Sequence, residues 1–367
     1  MRSLPPVIVV EMTEGKENTE EGTTVPEQGN GSSKRPPWWK RVWRWTVFGE
    51  KSGWEYLQLA GTLAIPGVIA FGTLWFTGQQ NEQQRLIEER RAQADRELED
   101  QRAQDAALQA YLDQMSTLLL EEDLRNSAAD SEVGTLARAR TVTVIQRLNA
   151  DGNQNVIRFL SEAKLTGGIT GQSSISLLTQ ADLQGAHFEG VDLSAIDLSD
   201  ADLSDAYLSN ANMESADLSG ADLSNADLSG EADLKKADLS GADLSNADLS
   251  GDADLEKADL SDAYLSDANL IDAYMVRADL SGADLSSANL ASAELAFSDL
   301  SDANLSLTNL LATSLIEANL RGAVGLYEGQ LAQALCLEGA TMPNGQKYED
   351  WIKSKGRGEG GENGCPS

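Results

Sequence analysis

The chain holds one histidine, His187, and two cysteines, Cys336 and Cys365, in 367 residues. A lone histidine with no serine or cysteine partner beside it makes no ordinary catalytic constellation. The cysteine spacing matches no metal-binding motif. The two cysteines pair only in an oxidising space; two free thiols are the other reading. A signal peptide is also missing, because the first apolar run, Pro5 to Val10, is too short and no cleavage pattern follows it. Gly49-Glu50-Lys51-Ser52 resembles the end of a phosphate-binding loop but lacks the earlier glycine and the strand–loop–helix setting. Positive charge is scarce, with 28 Lys and Arg against 59 Asp and Glu and a formal net charge of −31. No catalytic, cofactor-binding or metal-binding residue is expected, and no cofactor.

From Ala181 to Gly322 the ordinary helix and strand periods are missing too. A five-residue unit, A-D-L-S-x, recurs 28 times when each copy is set on its central residue. Ala221-Asp222-Leu223-Ser224-Asn225 and Ala226-Asp227-Leu228-Ser229-Gly230 show it at its cleanest. Leucine at every fifth residue builds no apolar stripe on a helix, and an odd spacing flips successive leucines to opposite faces of a strand. The chain must therefore turn once per unit, with Leu pointing to the axis of a stacked array. Alanine two residues before each Leu is the second inward position, small enough to sit beside leucine in a narrow core.

The central residue is Leu in 25 units and Phe188, Met213 or Met275 in the others. The second inward position is Ala in 23 units and Val191, Ile196, Ser298, Thr308 or Thr313 in the rest. The Asp, the Ser and the fifth residue then face water. One extra residue, Glu231, follows the tenth unit and another, Asp252, follows the fourteenth. They lie four units apart, so with four units per turn both fall at the same corner of neighbouring turns, where a bulge is tolerated.

These units resemble those of the pentapeptide-repeat proteins, over about two-fifths of the chain. The resemblance implies a mainly β fold: a right-handed quadrilateral β-helix over residues 175–322, with four units per coil and about seven coils. At about 4.8 Å per coil the rod is roughly 34 Å long. Some members of the family resemble duplex DNA in size and charge and bind DNA gyrase, which opens a DNA-mimic reading. The repeat carries 29 Asp and Glu against 5 Lys and Arg. The competing reading is that Asp beside Ser is a good turn residue whose charge keeps a rod soluble. The acid is spread over all four faces, which favours the second reading. An outward row of Asp does not converge as a calcium site requires. His187 takes an Asp position on the outside. Tyr207, Tyr264 and Tyr274 do the same on three different faces and build no single patch.

The N-terminal part is organised differently. Residues 1–33 are polar and acidic and read as a disordered tail. Residues 34–53 switch to basic and aromatic. Lys34-Arg35-Pro36-Pro37-Trp38-Trp39-Lys40-Arg41-Val42-Trp43-Arg44-Trp45 suits either base stacking or an anionic lipid interface. The next stretch decides between them. Leu57 to Phe76 carries no charged residue and is long enough to cross a bilayer, and its Gly61, Pro66, Gly67 and Gly72 are tolerated in a span. Trp54, Tyr56, Trp75 and Phe76 mark its ends. A transmembrane helix over 54–77 follows, with membrane lipid as partner of that helix and of residues 34–45. A buried helix of a soluble domain is the alternative. Direct nucleic-acid binding is not expected. Lys34, Arg35, Lys40, Arg41, Arg44 and Lys51 precede the span, and Arg85, Arg90, Arg91 and Arg96 follow it. The positive-inside rule then puts the N-terminus in the cytoplasm and the repeats outside the cell membrane.

Residues 78–105 read as a polar helical stalk continuing the membrane helix, with Arg85/Glu89, Arg91/Asp95 and Arg96/Asp100 paired four apart and no sustained coiled-coil seam. Residues 106–166 hold three short helices: Ala106–Leu124, Glu132–Asn149, and one near Asn155–Lys164, with Asp151-Gly152-Asn153 breaking the second. The wording YLDQMSTLLLEEDL…EVGTLARARTVTVIQRLN…VIRFLSEAKL resembles the segment between span and repeats in membrane-anchored bacterial pentapeptide-repeat proteins, which implies a domain order and no activity. Gly167 to Ser174 is a linker. Residues 323–353 cap the last coil, because an open β-helix end exposes strand edges. They hold a short helix over Tyr327–Leu335 and a turn at Thr341-Met342-Pro343-Asn344-Gly345. Residues 354–367 read as a disordered tail. The whole is expected to be a membrane-anchored scaffold without catalysis, whose rigid acidic β-helix meets a protein of unknown identity or its own kind.

Overall fold

The computed structural model describes residues 53–128, 131–167 and 175–355. The tail 1–33, the basic stretch up to residue 52 with its Gly49–Ser52 motif, linker residues 168–174 and the C-terminal residues from 356 lie outside the described residues. The chain divides into two compact units, 1–87 and 88–367.

Helix α1 (Gly53–Glu121) supplies all that is described of the first unit. It contains a window long and apolar enough to cross a membrane, of mean hydropathy 1.4, with none of it buried against protein. Leu63, Ile65, Val68, Ile69, Phe71 and Leu74 are all more than half exposed. A bare apolar surface of this extent suits hydrocarbon rather than water. Thr62 Oγ1 donates to the Gln58 carbonyl at 2.8 Å and Thr73 Oγ1 to the Ile69 carbonyl at 2.9 Å, so these hydroxyls are satisfied within the helix.

The polar stretch 78–105 continues the apolar stretch as one helix, and the first of the three expected short helices, Ala106–Leu124, is not separate: it is the end of α1, which stops at Glu121. No Gly or Pro interrupts Gln79 to Glu121, so nothing local ends the helix earlier.

In the second unit the end of α1 packs with a 3₁₀ turn (Leu124–Asn126), α2 (Glu132–Ile145) and α3 (Ala150–Ala163). The Tyr111 and Thr141 hydroxyls lie 3.0 Å apart in the buried core, and Phe159 meets the Tyr111 ring edge-on at 6.0 Å. Burial pushes the Tyr111 hydroxyl pKa well up. α2 ends at Ile145, short of the expected Asn149, and Asp151-Gly152-Asn153 opens α3 instead of breaking a helix. Asn149 is the reason: its Oδ1 accepts from the Gly152 amide at 3.0 Å and caps the new helix, with Asp151 in the first turn favoured by the helix dipole.

The repeats stack as a β-helix with four units per turn. Asp182, His187, Asp192 and Asp197 pair in parallel with Asp202, Tyr207, Asn212 and Asp217, each 20 residues on. Pairing is by isolated bridges, not extended strands, among the described residues. Each five-residue unit must also turn a corner, which leaves one bridging residue per side. The bonds repeat along the rod. The Leu203 amide donates to the Asp222 carbonyl at 2.7 Å, the Asp222 amide to the Ala201 carbonyl at 2.9 Å, and the Ala206 amide closes the corner on the Leu203 carbonyl at 3.1 Å. The fifth residue turns the chain in the left-handed region, at φ 58° for Asp205 and Asn225, which explains the many Gly, Asn and Asp in that slot.

The inward ladder is as the repeat requires. The Leu and Ala at the two inward positions of each unit are buried, as are Phe188, Met213 and Met275. The inward hydroxyls find carbonyls: Ser298 bonds Leu295, Thr308 bonds Leu285 and Thr313 bonds Leu290, at 2.7 to 2.8 Å. Glu231 and Asp252 both sit between the second and third sides, and the pairing step lengthens from 20 to 21 residues from Asn212–Asp233 through Asp248–Asn269. Gly230 and Gly251 turn this corner at φ 82° and 84°.

Both ends of the β-helix are closed by side-chain amides that take the place of an absent coil. At the start, Gln146 Nε2 donates to the Asp182 carbonyl at 3.2 Å and Asn153 Nδ2 to the His187 carbonyl at 2.7 Å. Gln154 Oε1 accepts from the Asp192 amide at 2.9 Å. At the other end, α4 (Glu328–Leu331), shorter than the expected Tyr327–Leu335, carries the buried Gln330. Its Nε2 donates to the carbonyls of Leu305 and Thr308 at 3.0 and 2.9 Å. Gln330→Leu is expected to leave the Thr308 carbonyl unpaired and the Leu305 carbonyl with only the Thr308 amide at 3.3 Å, and to cost about 2 kcal/mol. Chemical denaturation should show the loss, with early cleavage confined to the C-terminal end.

The chain then forms the turn ending at Gly345 and α5 (Tyr348–Ser354), an element not anticipated in the sequence. Cys336 is 1% exposed and disulfide-bonded; the other cysteine, Cys365, lies outside the described residues. Glu349 Oε1 accepts from the Gly339 amide at 2.7 Å, and that bond holds its carboxyl below its ordinary value of 4.5. A depressed carboxyl stabilises the folded state above its unfolded value, and the contribution is lost as pH falls through the folded one. Acidification below about 4.5 is therefore expected to loosen α5. Glu349→Gln should remove that part of the pH dependence, read as proteolysis after Lys353 and Lys355 against pH.

Candidate interaction surface

The outward positions are the only place where the β-helix can do chemistry, since its axis is filled. Most of the second-position Asp are engaged in building the turn. Asp202 Oδ1 accepts from the Ser204 amide at 3.0 Å and the Ser204 hydroxyl at 2.6 Å, and the same Asp–Ser amide bond recurs at Asp217, Asp238, Asp259, Asp279 and Asp299. This bond locks each corner and fixes the carboxylate's direction.

On the fourth side the carboxylates run unbroken from Asp197 through Asp217, Asp238, Asp259, Asp279 and Asp299 to Asn319. The other three sides are interrupted. His187 and Tyr207 stand on the second, Tyr264 on the first and Tyr274 on the third, so the tyrosines do lie on three sides. His187 stacks on Tyr207 with centroids 4.5 Å apart and its Nδ1 lies 2.9 Å from Glu189 Oε1. No group of three His, Cys, Asp or Glu able to hold a metal ion occurs among the described residues.

One feature of the surface escaped the sequence reading. Four of the five cations of the repeat, Lys235, Lys236, Lys257 and Arg277, gather near the corner between the third and fourth sides. The signal was present, because Lys236, Lys257 and Arg277 share the fifth slot of units one coil apart. Lys235 Nζ meets Asp254 at 2.8 Å, Lys236 Nζ meets Glu214 at 2.8 Å and Lys257 Nζ meets Glu256 at 2.6 Å. Donating to the Asp254 and Glu214 carboxylates raises the Lys235 and Lys236 pKa values. The hydrogen bonds from Lys236 and Lys257 lower the Glu214 and Glu256 values. The Arg277 guanidinium lies over the Phe297 ring at 5.4 Å, and that ring is 53% exposed. The corner is a mixed-charge seam with one aromatic residue, on a rod otherwise acidic.

A family model described as pentapeptide repeats, in eight copies, matches residues 196–230, 231–251, 252–286 and 288–324. Among solved structures, the chain is similar to HetL, a pentapeptide repeat protein involved in heterocyst differentiation regulation from the cyanobacterium Nostoc. Identity is 32%, covering 46% of this chain and 84% of HetL, with a TM-score of 0.37. It is similar to a pentapeptide repeat protein of the Arabidopsis thaliana thylakoid lumen at 30% identity, over 33% of this chain and 88% of that one, with a TM-score of 0.26. QnrB1, a plasmid-mediated fluoroquinolone resistance protein, matches at 19% identity over 48% of this chain and 90% of its own, with a TM-score of 0.33. Curated protein sequences contain no match.

Proposed function

The protein belongs to the pentapeptide-repeat family, and on that premise we propose that it is a membrane-anchored scaffold without catalysis, presenting a rigid acidic β-helix of about seven coils to a protein partner. The observation that carries this reading is the pairing of a rod whose outward side chains are locked by turn bonds with a helix whose apolar window has no protein cover. A surface held this stiffly loses little entropy when a partner docks. Lipid is the partner of the helix over 54–77 and of the basic, Trp-rich residues 34–45. The N-terminus is cytoplasmic and the repeats lie outside. The disulfide at Cys336 agrees with that side, since such bonds persist in oxidising compartments. Protease added to sealed right-side-out vesicles tests the arrangement. The repeats should be accessible without detergent, and protection of Lys347 to Lys355 from trypsin would reverse the topology.

The unbroken carboxylate row of the fourth side favours a second reading, a DNA mimic that binds DNA gyrase. The first reading predicts no inhibition of supercoiling by micromolar protein. Inhibition would replace it with the second.

A further inference from the structure

Beyond the repeats, a cavity of about 330 Å³ opens between α1 near Ala107–Gln114 and α2 with the turn after it. Its volume lies in the range of small-molecule sites. Ala107, Ala110, Ala139 and Val144 give it an apolar lining. One wall is held in place by Tyr111, whose hydroxyl is tied to Thr141 and whose ring is fixed by Phe159. Arg140 of α2 and Arg147 of the turn after it also line the cavity, with Gln114 and Thr143.

The charge of this cavity runs against that of the chain. In a protein of net charge −31, no carboxylate lines it. Neither guanidinium makes a hydrogen bond or ion pair among the described residues, whereas Arg125 donates to the Ala163 carbonyl and Arg138 to that of Ser176. Two free guanidinium forks at an apolar recess suit an acid head on an apolar body, because the fork meets a carboxylate or sulfonate in two parallel bonds.

We infer that the recess lined by Ala107, Ala110, Ala139, Arg140, Val144 and Arg147 is a binding site for a small anionic amphiphile, with its acid group on the two arginines and its apolar part against the alanines. The site is independent of the scaffold reading.

The test uses the full chain in lipid nanodiscs, with empty nanodiscs subtracted, and the fluorescent probe 8-anilinonaphthalene-1-sulfonate. A saturable component near one site per chain is expected. Arg140→Gln and Arg147→Gln should each weaken it about tenfold. Ala110→Leu, which keeps both charges and fills the space at an exposed helical position, should abolish it. Octanoate should displace the probe, and inorganic phosphate at the same concentration should not. Absence of a saturable component, or one unchanged in all three variants, overturns the site. Equal displacement by phosphate overturns the apolar half of the assignment.

Discussion

Leu244→Asp is expected to break the β-helix in the middle. Leu244 is fully buried, and its amide donates to the Tyr264 carbonyl one coil on at 2.7 Å. A carboxylate at that position has no partner on the axis, and an uncompensated buried charge costs several kcal/mol even after relaxation. The milder Leu244→Ala should cost about 3 kcal/mol, the usual figure for a leucine removed from a tight core. In a stacked array each coil is stabilised by its neighbours, so one failed coil divides the rod into two weaker pieces. Trypsin reads the outcome well, because the repeat offers it only Lys235, Lys236, Lys257, Arg277 and Arg321. The native rod should resist cleavage at these sites, and the Asp variant should be cut at Lys235, Lys236 and Lys257. Asp243→Ala, which loses only the bond to the Ser245 amide at 2.9 Å, is the control and should stay resistant. A Leu244→Asp protein as resistant as the control would mean that this leucine does not support the stack.

The second large effect concerns the membrane. Val68→Arg together with Ile69→Arg places two charges near the middle of the apolar stretch of α1, where both native side chains are bare. Each arginine at the centre of a span opposes insertion by about 3 kcal/mol. The native chain should stay in the membrane pellet through alkaline carbonate extraction, and the double variant should appear in the supernatant. Native protein that is already soluble without detergent would remove the anchor and with it the orientation proposed for the rod.

How far these features were legible varies from element to element, for a physical reason in each case. The axis of the rod was legible because one side chain in five repeats the same environment: Leu203, Leu223, Leu244 and Leu265 face one axis, and the same reasoning located Glu231 and Asp252 at one corner. The end of α1 was read as a separate helix from Ala106 because composition changes sharply there, yet backbone continuity needs only the absence of a breaker. The α2–α3 junction was displaced because Asp151-Gly152-Asn153 reads as a break, until the Asn149 cap turns it into a first turn. The cationic corner was missed because Lys236, Lys257 and Arg277 lie 20 to 21 residues apart in the chain and meet only after stacking, as do Lys236 and its partner Glu214.

By itself the sequence determined the period, the inward ladder, the outward charge and the one apolar stretch, all of which follow from which residue types recur at which spacing. Only the tertiary structure decided how the stack ends and where its surface departs from the pattern. Gln146, Asn153, Gln154 and Gln330 occupy the hydrogen-bonding places of coils that do not exist, and each reaches a backbone group 22 to 38 residues away. An amide side chain carries no mark of such a role in its own neighbourhood. The role comes from the unpaired carbonyls and amides that folding brings opposite it.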